Sequence, residues 1–195
     1  GEGQSKCLNA FGWCGEMENQ ESEKREEYAY VLDFMLSGKS FSSRAEPVAQ
    51  LIGEEWFTLL EVTPKPNTTL SIGEKVYIGK NERDKIMLIK SRIGYDELTQ
   101  TAKSSLNNVV SMIVKQHEKK FVDFFNIAGP LNIREHSLEL LPGIGKKHLE
   151  AILKARSEKP FESFADLSTR IPLLQDPAKL ITERVVSEIS GNERF

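Results

Sequence analysis

Cysteine is scarce. The 195 residues hold two, Cys7 and Cys14, with six residues between them. A structural zinc site asks for a closer C-x2-4-C pair and two more ligands downstream, and no further cysteine exists. A disulfide has little reason to persist in a reducing compartment, so both read as free thiols on a polar tail. Long hydrophobic runs are missing too; Tyr28 to Leu32 is typical of the longest. That excludes a helical membrane span, no signal-peptide core is seen, and the expected address is the cytoplasm. The catalytic signatures are absent as well: no Gly-x-Ser-x-Gly elbow, no Walker loop, no Rossmann glycine set after a strand. Carboxylates are plentiful, but none is spaced as a pair with a supporting histidine, so no catalytic residue is assigned and the expectation is a non-enzyme.

What is present is enough to fold. The chain is 39% hydrophobic and 28% charged, worth one to two domains. Its net charge of −3 argues at first against a nucleic-acid partner. The acid is local, however. Residues 1–27 carry seven acids against three bases, while residues 28–195 carry 22 acids against 23 bases. Two stretches are basic: 75–92, with Lys75, Lys80, Arg83, Lys85, Lys90 and Arg92 against two acids, and 143–156, with four bases against one acid. Net charge does not report where charges sit.

Residues 1–27 lack sustained periodicity and read as a disordered leader, in which Met17 opens an ordinary polar N-terminus and is the expected native start. Residues 28–95 hold five short β-like runs, Tyr28 to Met35, Val48 to Ile52, Glu55 to Val62, Lys75 to Ile78 and Lys85 to Ile93. So many short strands suggest a small β-barrel. In this reading Tyr77 is exposed by alternation, and the basic stretch 75–92 forms the barrel's nucleic-acid face; a solvated charged hairpin explains it as well. From Asp96 the period changes. Leu98, Ala102, Leu106, Val109, Ile113, His117, Phe121 and Phe124 form one helical stripe, so 96–130 is expected as a linking helix ended by Gly129-Pro130. His117 reads as a packing residue on it. Residues 131–195 are expected as an all-α domain.

The most informative segment is Leu138-Glu139-Leu140-Leu141-Pro142-Gly143-Ile144-Gly145-Lys146-Lys147. Pro142 ends one apolar run, and the glycines allow a tight turn into the next. The helix beginning near Gly145 presents free N–H groups at its positive end, suited to a phosphate oxygen. Lys146 and Lys147 stand beside it, and His148 is placed to donate to a phosphate. A tight structural connection is the bland alternative. The segment resembles the helix-hairpin-helix nucleic-acid-binding motif, and 156–167 resembles the linker to a second hairpin. Residues 171–177, however, lack a Gly-x-Gly, so that hairpin reads as structural. The resemblance implies a monovalent cation, K or Na, on the backbone carbonyls of Glu139, Leu141 and Ile144.

EYAYVLDF (27–34), EPVAQLIGEEWFTLLEV (46–62), LSIGEKVYIG (70–79), RIGYDELT (92–99) and LELLPGIGKK (138–147) together resemble the archaeal domain of unknown function 655 family. That resemblance implies an α+β chain with an OB-like barrel and a helix-hairpin-helix end. No helix precedes Asp96 to mark an OB barrel, and an SH3-like or Tudor-like barrel fits the same pattern. The expected function is a non-catalytic nucleic-acid-binding protein, with RNA favoured over DNA and no membrane partner. The alternatives are a protein-interaction adaptor that uses the hairpin for packing and, more distantly, a DNA repair or processing accessory factor.

Overall fold

The computed structural model describes residues 25–38 and 45–191. Cys7, Cys14 and Met17 lie outside the described residues. The described part divides into two compact units, one up to Val109 and the other from Val110. The described residues form an α+β fold, an antiparallel five-stranded sheet with five α-helices. The strands are β1 (Tyr28–Met35), β2 (Val48–Gly53), β3 (Leu59–Pro64), β4 (Lys75–Tyr77) and β5 (Ile86–Arg92). The helices are α1 (Gln100–Gln116), α2 (Glu118–Ile127), α3 (Lys146–Glu158), α4 (Phe164–Arg170) and α5 (Pro177–Ser190).

In the first unit the sheet order is β4-β1-β2-β3-β5, every pair antiparallel. Strand β4 returns beside β1, which gives the Greek-key order for the first four strands. Register shifts at Val31/Asp33, Glu61/Val62 and Thr63/Pro64 bend and twist the strands, and the sheet curls. Alternate residues Ala29, Val31, Ala49, Leu51, Leu60 and Val62 turn to one buried cluster, as the two-residue strand period requires. A polar row crosses the sheet instead at Asp33, Gln50 and Glu61, which are partners in register. That row receives the start of α1. Thr99 donates its hydroxyl to Asp33 Oδ2 at 2.6 Å and its N–H to Gln50 Oε1 at 2.9 Å. The same hydroxyl accepts the Ala102 N–H at 3.0 Å, so the helix is capped by Thr99 and backed by a carboxylate.

Residues 25–27 belong to this fold, which corrects the leader's boundary. Glu26 is only 7% exposed. Its carboxylate accepts the N–H groups of Trp56 at 2.7 Å, Glu55 at 2.9 Å and Thr58 at 3.4 Å, and the Thr58 hydroxyl at 3.2 Å. Burial nonetheless pushes its pKa up, against these bonds. A lone glutamate within a polar run carries no sequence mark of such a role. The same bonds delay β3, expected from Glu55 but beginning at Leu59: the N–H groups of Glu55, Trp56 and Thr58 turn to the carboxylate, while the Thr58 carbonyl accepts the Gly53 N–H at 2.8 Å.

The expected single linking helix is two helices. His117, half-buried, takes φ −102° and ψ 36° between α1 and α2. The unit boundary falls inside α1, so this segment is divided between the two bodies and is not a separate spacer. The apolar stripe is buried all the same, from Leu98 to Phe121, and Phe125 is wholly buried. Periodicity reads which face packs, and a one-residue break hardly disturbs it.

In the helical unit, side chains close the helix ends. Arg156 donates to the carbonyls of Ala128 (2.6 Å) and Phe125 (3.3 Å) at the end of α2. Arg170 donates to the Ala155 and Lys159 carbonyls, both at 2.7 Å, at the end of α3. Arginine at these carbonyls also opposes the negative pole of the helix. Asn126 and Phe161 exchange two hydrogen bonds, of 2.7 and 2.9 Å, fixing the linker before α4.

Candidate nucleic-acid interface

The hairpin starts differently from its expectation. Its first arm is one 3-10 turn, Ser137–Leu140, in place of an α-helix. Four residues between His136 and Leu141 leave no room for more. His136 is 8% exposed. Its Nδ1 accepts the Leu138 N–H at 3.1 Å, and its own N–H donates to Glu139 Oε1 at 3.1 Å. This is the reciprocal pattern of a capping box, with histidine where serine or threonine is usual. Burial, helped by the charge of Arg156, lowers the His136 pKa. The buried Arg184, paired with Glu188 at 2.8 Å, donates to the Leu140 carbonyl at 3.2 Å and so ties α5 to this arm.

Gly143 turns the chain at φ +78°, in the left-handed region. Ile144 is buried and anchors the turn, its N–H donating to the Leu141 carbonyl at 3.3 Å. Gly145 then stands as N-cap of α3, with no side chain to fill that end. The first helical bond from Gly145 is that accepted from Leu149. The N–H groups of Lys146, Lys147 and His148 therefore have no acceptor among the described residues. Gly143, Gly145 and Lys147 are exposed, and His148 is half-buried. The start of α5 is closed by contrast, with Asp176 accepting the Lys179 N–H at 3.1 Å and Pro177 in the first turn. A carboxylate there disfavours an anion, whereas Gly145 brings no charge to the start of α3.

The two lysines are not equivalent. Lys146 Nζ lies 3.0 Å from Glu139 Oε1 and 3.3 Å from the Arg134 carbonyl. That ion pair, with the His136 N–H, holds the Glu139 carboxyl below its ordinary pKa. Lys147 makes no ion pair among the described residues and is exposed. Of the carbonyls considered for a monovalent cation, that of Leu141 already accepts the Ile144 N–H.

The basic stretch of the sheet is less free than its count suggests. Lys75 pairs with Glu54 at 3.0 Å and lies 4.5 Å from the centre of the Tyr28 ring. Lys85 pairs with Glu74 at 2.5 Å, and Arg83 donates to the Gly79 carbonyl at 2.9 Å. Both carboxylates lie outside 75–92, so a segmental count could not include them. Tyr77 is half-buried where alternation made it exposed. Its hydroxyl accepts the Asn81 N–H at 3.1 Å, and its ring meets Tyr28 edge-on at 5.3 Å. Lys80, Lys90 and Arg92 are exposed. No group of three histidine, cysteine, aspartate or glutamate side chains able to hold a metal occurs among the described residues.

Residues 25–195 match the family described as Protein of unknown function (DUF655). The chain belongs to that family. It is 44% identical over 172 residues to the uncharacterized protein MJ0038 of Methanocaldococcus jannaschii, a match covering 88% of this chain and 78% of that protein. It is also similar to the crystal structure of Af1531 from Archaeoglobus fulgidus. There the TM-score is 0.81 at 47% identity, over 87% of this chain and 96% of the other. Among the described residues no helix is long and apolar enough to cross a membrane.

Proposed function

We propose that this DUF655 protein is a non-catalytic nucleic-acid-binding protein, with RNA its preferred partner over DNA. It grips the phosphate backbone at the helix-hairpin-helix turn 141–147. The observation that carries this reading is the start of α3: three N–H groups that have no acceptor among the described residues, behind two exposed glycines and beside Lys147, which makes no ion pair among them. Helix starts of this kind take phosphate oxygens, and a lysine adds charge without reading sequence. The carbonyls of Glu139, Leu141 and Ile144 would hold a monovalent cation, which would add positive charge beside the phosphate. The sheet is a small OB-like barrel in this reading, supported by its Greek-key order. Its Lys80, Lys90 and Arg92 offer a second, weaker contact surface.

Binding of a labelled RNA hairpin and a matched DNA duplex, followed by anisotropy against salt, tests the proposal. With about three phosphates engaged, affinity falls about 40-fold between 50 and 200 mM salt. Lys147→Glu weakens binding and lowers the salt slope by about one. Salt-independent binding, or a Lys146→Glu/Lys147→Glu double variant that binds like the parent, overturns it.

A further inference from the structure

Isoleucine is the residue least expected in full contact with water, and Ile133 is 106% exposed. It sits at the tip of the loop between α2 and the 3-10 turn that opens the hairpin. That loop is built, residue by residue. At its base Ser137 donates both its N–H (3.0 Å) and its hydroxyl (2.8 Å) to the Gly129 carbonyl. Higher up, Leu131 donates to the Glu135 carbonyl at 2.8 Å. At the tip the Asn132 side chain accepts the N–H groups of Arg134 (2.8 Å) and Glu135 (2.9 Å). Bonds on both sides of the tip fix the backbone that carries Ile133, so the side chain is presented in a set position before any partner arrives.

The position is equally specific. Lys146, the first residue of α3, reaches across to the Arg134 carbonyl at 3.3 Å. Ile133 is therefore one residue and one lysine side chain away from the bare N–H groups. Its neighbours Asn132, Arg134 and Glu135 are polar and exposed; Leu131, 51% exposed, and Ile127, 79% exposed at the end of α2, are the nearest exposed apolar residues in sequence, and neither adjoins it at the tip. Protein interfaces are marked by contiguous apolar patches. An apolar side chain set at a polar loop tip beside a phosphate-binding end has the form of a wedge, which enters between bases and replaces part of their stacking.

We propose that Ile133 is such a wedge. It inserts at a disrupted base step of an RNA whose backbone the hairpin holds, and it directs the protein to bulged helices over continuous ones. This rests on the nucleic-acid reading above. A wedge costs least where stacking is already broken, and RNA displays such steps at bulges and loops.

The test uses the full chain and two fluorescein-labelled RNA duplexes, identical except that one has a single-nucleotide bulge flanked by 2-aminopurine. The parent binds the bulged duplex about tenfold more tightly, since the bulge spares part of an unstacking cost, and 2-aminopurine fluorescence rises. Ile133→Ser loses both effects yet binds the continuous duplex like the parent and melts at the same temperature. Ile133→Met retains both. Equal affinity of the parent for the two duplexes overturns the wedge, as does an Ile133→Ser variant that keeps the preference and the signal; sensitivity to Lys147→Glu then shows that the hairpin reading survives. An Ile133→Ser variant that binds both RNAs like the parent but loses self-association in sedimentation overturns it in favour of a protein contact. If the parent binds neither RNA at low salt, both proposals fall.

Discussion

Replacing each hairpin glycine by alanine separates folding from binding, because the two glycines are needed for different reasons. Gly143 sits at φ +78°, and a Cβ built on it meets no atom within 4 Å. The penalty of Gly143→Ala is therefore conformational, about 1–2 kcal/mol for an L-residue in the left-handed region. Restricting the unfolded chain recovers about 0.4–1 kcal/mol of that. A net loss near 1 kcal/mol lowers the melting temperature by about 4–8 °C for a unit of this size. Gly145 is at φ −98° and ψ −169°, a conformation open to any residue, and its Cβ also meets open space. Losing a good N-cap and stiffening the unfolded chain offset each other to within about 0.5 kcal/mol. The added methyl of Gly145→Ala nonetheless stands at the mouth of the free N–H groups. Losing a single hydrogen bond to a charged oxygen costs about 1.5–3 kcal/mol, at least tenfold in affinity. Thermal melting and RNA anisotropy on the same samples read both effects. A Gly145→Ala protein that melts and binds like the parent refutes the backbone N–H groups as the contact, and an unchanged melting temperature for Gly143→Ala refutes the conformational argument.

The Glu26 cradle and the pH response of the hairpin arm are open to similar tests. Glu26→Ala strands three N–H groups at a half-buried loop and should cost about 2–3 kcal/mol in urea unfolding. A Cβ on Gly53 would lie 2.0 Å from the Glu26 carboxyl carbon, so Gly53→Ala expels the same side chain. The double variant should then cost no more than Glu26→Ala alone, and additive losses would contradict the cradle. His136 is held below the ordinary histidine pKa, chiefly by burial and then by Arg156. Its contribution to stability is thus complete above about pH 6.5 and is lost as pH falls through the lowered folded value. NMR titration should place its imidazole below 6.5, and a value at or above that removes the basis for acid loosening of the arm.

Much of the fold was legible because it follows from local rules. Strand β1 was read with its observed ends, since an aromatic and aliphatic run that follows the polar Glu26-Glu27 and gives way to Ser37-Gly38 has few alternatives. The buried stripe from Leu98 to Phe121 was legible for the same reason. What escaped were bonds between residues distant in sequence. The Glu26 carboxylate reaches the loop 55–58, Arg184 reaches Leu140, and Glu54 and Glu74 neutralise lysines on which the basic stretch was counted. Polar residues in polar surroundings look alike until folding decides which are buried. His136 left a faint signal in its spacing to Glu139, the three-residue interval of a capping box, hidden by the unusual residue type.

The sequence by itself determined the α+β class, the family and the position of the turn at 141–147, because strand alternation, helix period and glycine's freedom at φ +78° are properties of neighbouring residues. Only the tertiary structure decided what that turn exposes. It bound Lys146 to Glu139 while leaving Lys147 exposed, closed α5 with Asp176 while leaving α3 bare, and set Ile133 in water beside the lysine that opens α3. Those outcomes depend on which groups meet after folding, and a charge or an apolar side chain has its effect only through the partners it meets.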